Sequence, residues 1–251
     1  MPVWTQRSGV LPAISLVVGM VLWEVIGQAD VSAALPPFSA VLAAMGEEWT
    51  SAQFWSSTAF TLGAIALALP FAILAGIAAG VLMGMFRLAE WLMAPYVNIF
   101  LSVPLTALVP VLLLIFGLSR SAVVAAVLLY TVFVVTLNTH AGVENVDRKL
   151  VDMARSFGAT RRLVVRRIVL PSALGITLAG VRIAVGRAVK GAIVTEQIIG
   201  LVGLGGRVQR LGGAFAVEKL YAVIIFNGLV GLLSMELVRL LERSRERHFA
   251  A

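Results

Sequence analysis

The sequence predicts an all-α membrane protein that crosses the bilayer six times. Three observations predict it. The chain is 60% hydrophobic and only 13% charged, against about 25% charged residues in a soluble domain. Its mean hydropathy is +0.97. Its apolar runs reach the roughly 20 residues that a helix needs to cross a hydrocarbon core about 30 Å thick.

The net charge of +7 would point to nucleic acid in a soluble protein. In a membrane chain, basic residues belong to loops that face an anionic leaflet. The aromatic–basic interleaving of single-strand binders is missing, so no nucleic-acid partner is expected. Cysteine is absent, which excludes disulfides and Cys-ligated metal centres.

The first apolar run covers 10–27, after Arg7. A signal peptide cleaved near Ala33-Ala34 competes with a retained helix. The length of the run and Glu24 within it favour the helix. Residues 28–53 change composition: Pro36-Pro37 breaks any helix, and the charges are Asp30, Glu47 and Glu48. A loop with acids and no Lys or Arg reads as exterior.

The second run, 56–86, is uncharged. Its Gly76-x-x-x-Gly80-x-x-x-Gly84 pattern permits close helix approach, within one subunit or between two. Pro70 is a candidate kink. Arg87 and Glu90 mark a short inside turn. The third run, 91–116, is divided by Pro95, Pro104 and Pro110. Backbone breaks at membrane depth are tolerated where they line a cavity or meet protein. Residues 102–110 are therefore candidates to line a pore, with simple bending as the alternative.

The fourth run, 121–140, follows a turn at 117–120 and ends on His140. A lone histidine there reads as interfacial rather than as a metal ligand, since no partner ligand is near in sequence. The fifth run extends from 168 or 171 to 194 and holds Arg182, Arg187 and Lys190. A glycine-rich stretch at 196–213 precedes the sixth run, 220–241.

Between the fourth and fifth runs lies a polar island, 144–171. It carries seven basic residues: Arg148, Lys149, Arg155, Arg161, Arg162, Arg166 and Arg167. Leu150, Met153, Ala154 and Phe157 recur at i, i+3, i+4 and i+7, which places them on one face of a short helix. Gly158 can end that helix in the left-handed conformation. Thr160 can cap the next helix, and Pro171 can open another. A basic helix-turn-helix between lipid-soluble runs reads as a docking surface.

Six crossings put both termini on one side. Placing the termini, the Arg87 turn and the island inside collects thirteen Lys and Arg there, against four outside. That bias orients both ends toward the cytoplasm.

Enzyme signatures are missing: neither H-E-x-x-H nor G-x-S-x-G occurs. Residues 200–206, GLVGLGG, lack the Lys-Ser or Lys-Thr of a phosphate-binding loop, so a flexible hinge or re-entrant turn is expected. The chain has no means of using ATP by itself. The cations of the fifth run are the anomaly. Counted from Pro171, Arg182 lies roughly 16 Å along the helix, near mid-membrane, where a charge is costly. Arg182, Arg187 and Lys190 share one broad sector. Either they pair with Glu24, Glu196 or backbone carbonyls, or they line an aqueous path that favours anions. Lys190 and Glu196 can also snorkel at the outer interface.

Asp152-Met153-Ala154, Gly158 and Ile168-x-Leu170-Pro171 resemble the E-A-A-x3-G-x9-I-x-L-P signature of permease subunits of bacterial ATP-binding-cassette (ABC) importers. The spacing matches; Asp152 and Met153 depart from the pattern. Further motifs are similar to the nitrate, sulfonate, taurine and bicarbonate branch. They are Leu35-Pro36-Pro37, Gly80-x-x-x-Gly84, Val103-Pro104-Leu105 through Pro110, Phe116-Gly117, Leu137-Asn138-Thr139, Gly180-Val181-Arg182, Thr195-Glu196 and Gly203-Leu204-Gly205.

The resemblance covers nearly the whole chain and implies the type I importer fold, one permease domain over 1–251. It implies a homodimer, two cytoplasmic ATPase subunits that bind ATP and Mg, and an external substrate-binding protein. It implies no cofactor in this chain. The helix at 146–157 becomes the coupling helix, with Leu150, Asp152, Met153, Ala154, Phe157 and Gly158 as the ATPase contact. Arg182, Arg187, Glu196 and Pro104 are the candidates for the translocation path. The implied solute is a small anion; aromatic acids, pyrimidines and flavins are the alternatives.

Overall fold

Glycines decide how the central helices meet. The computed structural model describes residues 10–200 and 202–249, with side chains described for 11–104, 106–200 and 202–240. Three long helices form the centre: α3 (Ala52–Met85), α6 (Arg120–Glu144) and α9 (Leu170–Ile199). A methyl group on Gly76 would come within 2.6 Å of Val135 Cβ, and one on Gly80 within 2.6 Å of the Thr136 carbonyl oxygen. Gly84 faces Val143 in the same way. The repeated glycine motif therefore packs α3 on α6 inside one subunit, which resolves the two readings of it. On the other side of α6, Gly180 meets Asn138 and Gly191 meets the Tyr130 ring. Between these helices Ala64, Ala68, Val123, Val127, Ala188 and Ala192 form a small-residue core. Close backbones gain dispersion contacts, which must drive association where lipid is as apolar as the side chains.

The structure refines the sequence reading in three places. Residues 28–53 are not all loop. After Pro37 the chain forms α2 (Phe38–Thr50), and Val41, Ala44 and Glu48 are its buried side. Those positions follow i, i+3, i+7, a short helical signal hidden behind the two prolines. Val41 and Ala44 pack with Ala222 of α11 (Val217–Phe249). The preceding helix, α1 (Val10–Gln28), exposes most of its side chains. It is held at its end: Trp23 Nε1 donates to the Pro36 carbonyl at 3.0 Å, and Glu24 accepts from the Ser39 backbone N–H at 2.8 Å. Glu24 is thus engaged with Ser39 and Gln28, away from the fifth-run cations.

The third run is not one rod. It forms α4 (Arg87–Ser102) and α5 (Val109–Phe116), joined through a 3-10 turn at Leu105–Leu108, with a bend of 92°. Val103 and Pro104 are extended, as a residue before proline prefers, and Pro104 has no amide to continue the helix. Pro110 sits in the first turn of α5, and Pro95 is accommodated inside α4. The described residues therefore hold five straight candidate spans and one bent pair.

The fifth run begins earlier than Pro171. A one-turn helix, Arg161–Val164, passes through a π-type turn at Val165–Val169 directly into α9. Together they make a continuous span of 39 residues, Arg161–Ile199. Across the π turn the Leu170 amide donates to the Val165 carbonyl, and Pro171 follows in the first turn of α9. Arg7 lies outside the described residues, as do the side chains of Arg243, Arg245 and Arg247.

Candidate functional site

The polar island folds as a clamped helix, α7 (Arg148–Ser156). Asp147 starts it, its Oδ1 accepting from the Lys149 amide at 2.9 Å. Gly158 ends it with φ of +78°. The Gly158 amide donates to the Arg155 carbonyl at 2.9 Å and the Ala159 amide to the Ala154 carbonyl at 3.0 Å. That pair of bonds is a Schellman termination. Thr160 then caps the next turn, accepting from Leu163 N–H at 3.4 Å. We label that turn α8 (Arg161–Val164).

The apolar stripe of α7 divides. Val151 and Ala154 face inward, onto the cluster of Val143, Val164, Val169 and Ala173. Leu150, Met153 and Phe157 stay exposed, Phe157 at 85%. Asp152 and Gly158 are exposed beside them. The single docking face expected from the spacing is thus two faces, since Ala154 belongs to the protein's own core. Arg161 adds a second anchor: its guanidinium lies 4.4 Å over the Phe86 ring and donates to the Met85 carbonyl at 3.4 Å. This ties α7 and α8 to the C-terminal end of α3. A cavity of about 500 Å³ lies beside α7, lined by Glu144, Arg148, Asp152, Arg155 and Arg161.

At the opposite end of α9, Glu196 is wholly buried. Its Oε2 accepts from Thr61 Oγ1 at 2.8 Å and from the Gly205 amide at 3.0 Å. Thr61 Oγ1 in turn accepts from the Leu204 amide at 2.9 Å. Gly203 and Gly205 open helix α10 (Gly203–Gly213). A side chain on Gly203 would overlap the Glu196 carboxyl, and one on Gly205 would overlap the Ile193 carbonyl. The glycine-rich stretch is therefore a packed helix start seated on a carboxylate, not a loose hinge. Free N–H groups and the helix dipole favour an anion there. A buried ion pair completes this end: Arg207 of α10 meets Glu48 of α2 at 2.6 Å.

The cations take separate places. Gly180 faces Asn138 and Gly191 faces Tyr130, so Arg187 and Lys190 stand level with the middle of α6. Arg182 lies toward the α7 end. Arg187 and Lys190 line a cavity of about 700 Å³ between α9 and α11. Arg182 is half-buried and does not line it. Pro104 is exposed at the α4–α5 bend. The four residues expected to share a path are thus dispersed. Gln197 and Asn227 are the polar cavity residues that the sequence reading passed over. A charge at the centre of a membrane helix costs about 2.5–3.5 kcal/mol on insertion scales, so exposed cations within a candidate span need water or a counter-charge.

Residues 72–247 match the model of the binding-protein-dependent transport system inner membrane component family. The chain belongs to that family. The permease is 30% identical, over 92% of its length and 92% of the other chain, to the formylaminopyrimidine transport permease protein ThiX of Halalkalibacterium halodurans. It is 28% identical, over 95% of its length and 86% of the other's, to the putative aliphatic sulfonates transport permease protein SsuC of Bacillus subtilis. Its fold matches a crystal structure of an amino acid ABC transporter with histidines. The TM-score is 0.64 at 23% identity, over 76% of the permease and 94% of that chain. The permease is therefore an ABC importer subunit with membrane-spanning helices, of a family that works in the bacterial inner membrane.

Proposed function

We infer that the permease carries a small organic or inorganic anion inward and borrows its energy from a separate ATPase that grips α7. The observation that carries this is the division of α7. One side is locked into the protein by Val151 and Ala154, and the other presents Leu150, Met153 and Phe157 to the exterior. A helix fastened to α3 and α9 and still apolar outward transmits a push from a partner instead of absorbing it.

In this reading the α7 end and both termini face the cytoplasm, and two copies of the permease pair with two ATPase subunits that bind ATP and Mg. An external binding protein selects the solute. The anion preference rests on Arg187 and Lys190, exposed at mid-helix without an ion-pair partner among the described residues. A second reading, import of a neutral nutrient of the pyrimidine type, is favoured by the similarity to the formylaminopyrimidine permease over 92% of both chains.

Reconstitution in liposomes tests the proposal. Uptake is expected only when the ATPase, ATP and the binding protein are all present. Solute flux through the purified permease alone would overturn it.

A further inference from the structure

We propose that Arg162, Arg166 and Arg167 form a docking surface for the phosphate headgroups of anionic lipid. Bound lipid would fix the start of the Arg161–Ile199 span at the membrane boundary. The proposal goes beyond the transport reading and holds whichever solute is carried.

The depth of the patch is the first observation. Helix α3 is 34 residues long, roughly 50 Å, which is enough for the hydrocarbon core and both headgroup layers. Exposed tryptophans mark its two ends: Trp55 in its first turn, and Trp91 in α4 just beyond its last. Tryptophan collects where lipid meets water. The Arg87 guanidinium lies 5.6 Å over the Trp91 ring. Arg161 lies over the neighbouring Phe86 ring, so α8 starts at the same depth.

The pattern of side chains is the second. Arg162 and Arg166 are four residues apart in sequence, as are Leu163 and Arg167, so each pair shares a helix face. Arg166 and Arg167 lie on the π turn. All three arginines are exposed, and so are Leu163 and Leu170 among them. Further along, the same helix continues as a candidate span with Ile176 and Ile183 open. Guanidinium groups beside exposed leucines suit a lipid surface, which offers phosphate to the one and acyl chains to the other.

The chain itself does not neutralise the patch. Among the described residues none of the three arginines makes an ion pair. At this end of the molecule Asp147 caps α7, Glu90 and Glu144 lie beside His140, and Asp152 lines the cavity beside α7. Helix α11, which carries Glu242 and Glu246, runs antiparallel to α9: Met235 meets Gly186, and Val238 packs with Val181. Glu246 comes eight residues after Val238, and Arg167 fourteen before Val181. The backbone at Glu246 therefore stops roughly 9 Å short of Arg167 along the axis. Glu236 is paired with Arg239. The other acids, Glu24, Asp30, Glu47, Glu48, Glu196 and Glu218, belong to the opposite end of the bundle. Depth and continuity with the span commit the open charge to lipid and not to a soluble partner.

Native mass spectrometry of the full-length permease tests this. The protein is released from micelles doped equally with phosphatidylglycerol and phosphatidylcholine, and the retained lipids are counted. Phosphatidylglycerol should be retained about tenfold over phosphatidylcholine, the discrimination expected of a few cations at a membrane surface. Arg162→Gln, Arg166→Gln and Arg167→Gln together should remove that preference, and Arg162→Lys, Arg166→Lys and Arg167→Lys together should keep it. The same loss of charge on α7, by Arg148→Gln, Lys149→Gln and Arg155→Gln, should also keep it. An unchanged preference in the triple α8 variant would refute the patch, and all the more so if that variant fails to capture the ATPase, which would make the arginines a protein contact. Equal loss in the α7 variant would refute it too, leaving net charge as the cause. If the triple variant does not fold, Arg166→Gln alone should lower the preference measurably, and no change there would refute the proposal.

Discussion

The carboxylate of Glu196, at the last turn of α9, lies against Gly203 and accepts a 3.0 Å hydrogen bond from Gly205. Two motifs seven residues apart in sequence, Thr195-Glu196 and Gly203-Leu204-Gly205, are thus one structural unit. The carboxylate fixes the direction in which α10 leaves α9. Thr61 of α3 closes the unit from the other side.

Gly205→Ala should destabilise the permease by about 1–3 kcal/mol, the usual cost of overpacking. Gly213→Ala, where nothing lies within 4 Å, should be neutral or slightly stabilising, because alanine is the better helix former. Glu196→Ala should cost about 1–3 kcal/mol by stranding buried donors. Thermal unfolding of the detergent-solubilised protein, followed by tryptophan fluorescence, measures all three. Equal melting of Gly205→Ala and Gly213→Ala would contradict the packed helix start.

The Glu48–Arg207 pair is buried on both sides. Removing one partner strands a charge and should cost about 3–5 kcal/mol, whereas an apolar replacement of both should cost much less. A double-mutant cycle with Glu48→Leu and Arg207→Met reads the coupling as a difference in melting temperature. Additive losses would mean that the two ends of α2 and α10 are held by something else.

The glycines of α3 should tolerate little. Gly80→Val would drive a branched side chain into the Thr136 carbonyl and Thr139 and should prevent α3 and α6 from closing. Gly46→Val, on a helix surface with open space around it, should fold. The yield of monodisperse protein after membrane extraction distinguishes them.

On α7 the two faces should separate stability from coupling. Phe157→Ala removes an exposed ring and should leave the melting temperature unchanged while abolishing ATP-driven uptake. Ala154→Asp buries a charge against Val143 and Val169 and should lower stability first. Gly158→Ala forces a side chain into a positive-φ position, at a cost of about 1–2 kcal/mol. Melting curves and uptake are measured on the same preparations. Normal uptake by Phe157→Ala would remove α7 as the ATPase contact.

Much of the island was legible because its signals are local. A glycine that ends a helix and a threonine that caps one act within a few residues. Other readings failed where the deciding partner is distant in sequence. Ala154 was assigned outward because spacing gives a helix its faces but not the neighbours of each face. Pro171 does sit in the first turn of α9, as its missing amide suggests, but the π turn that joins α8 to α9 ahead of it leaves no mark in composition. Helix α2 was missed because its buried side is only three residues long and includes a glutamate whose partner, Arg207, lies far along the chain.

By itself the sequence determined the solvent of this protein, the number and order of its apolar runs, and the basic polar segment between the fourth and fifth of them. These follow from hydropathy and from caps, which depend on neighbours in the chain. Only the tertiary structure decided which glycines are contacts, which charges are already paired, and which stand open. Those outcomes depend on which surfaces meet. The same carboxylate is a buried anchor against a helix start or an open charge in a groove, and only the packing of α3, α9 and α10 makes Glu196 the former.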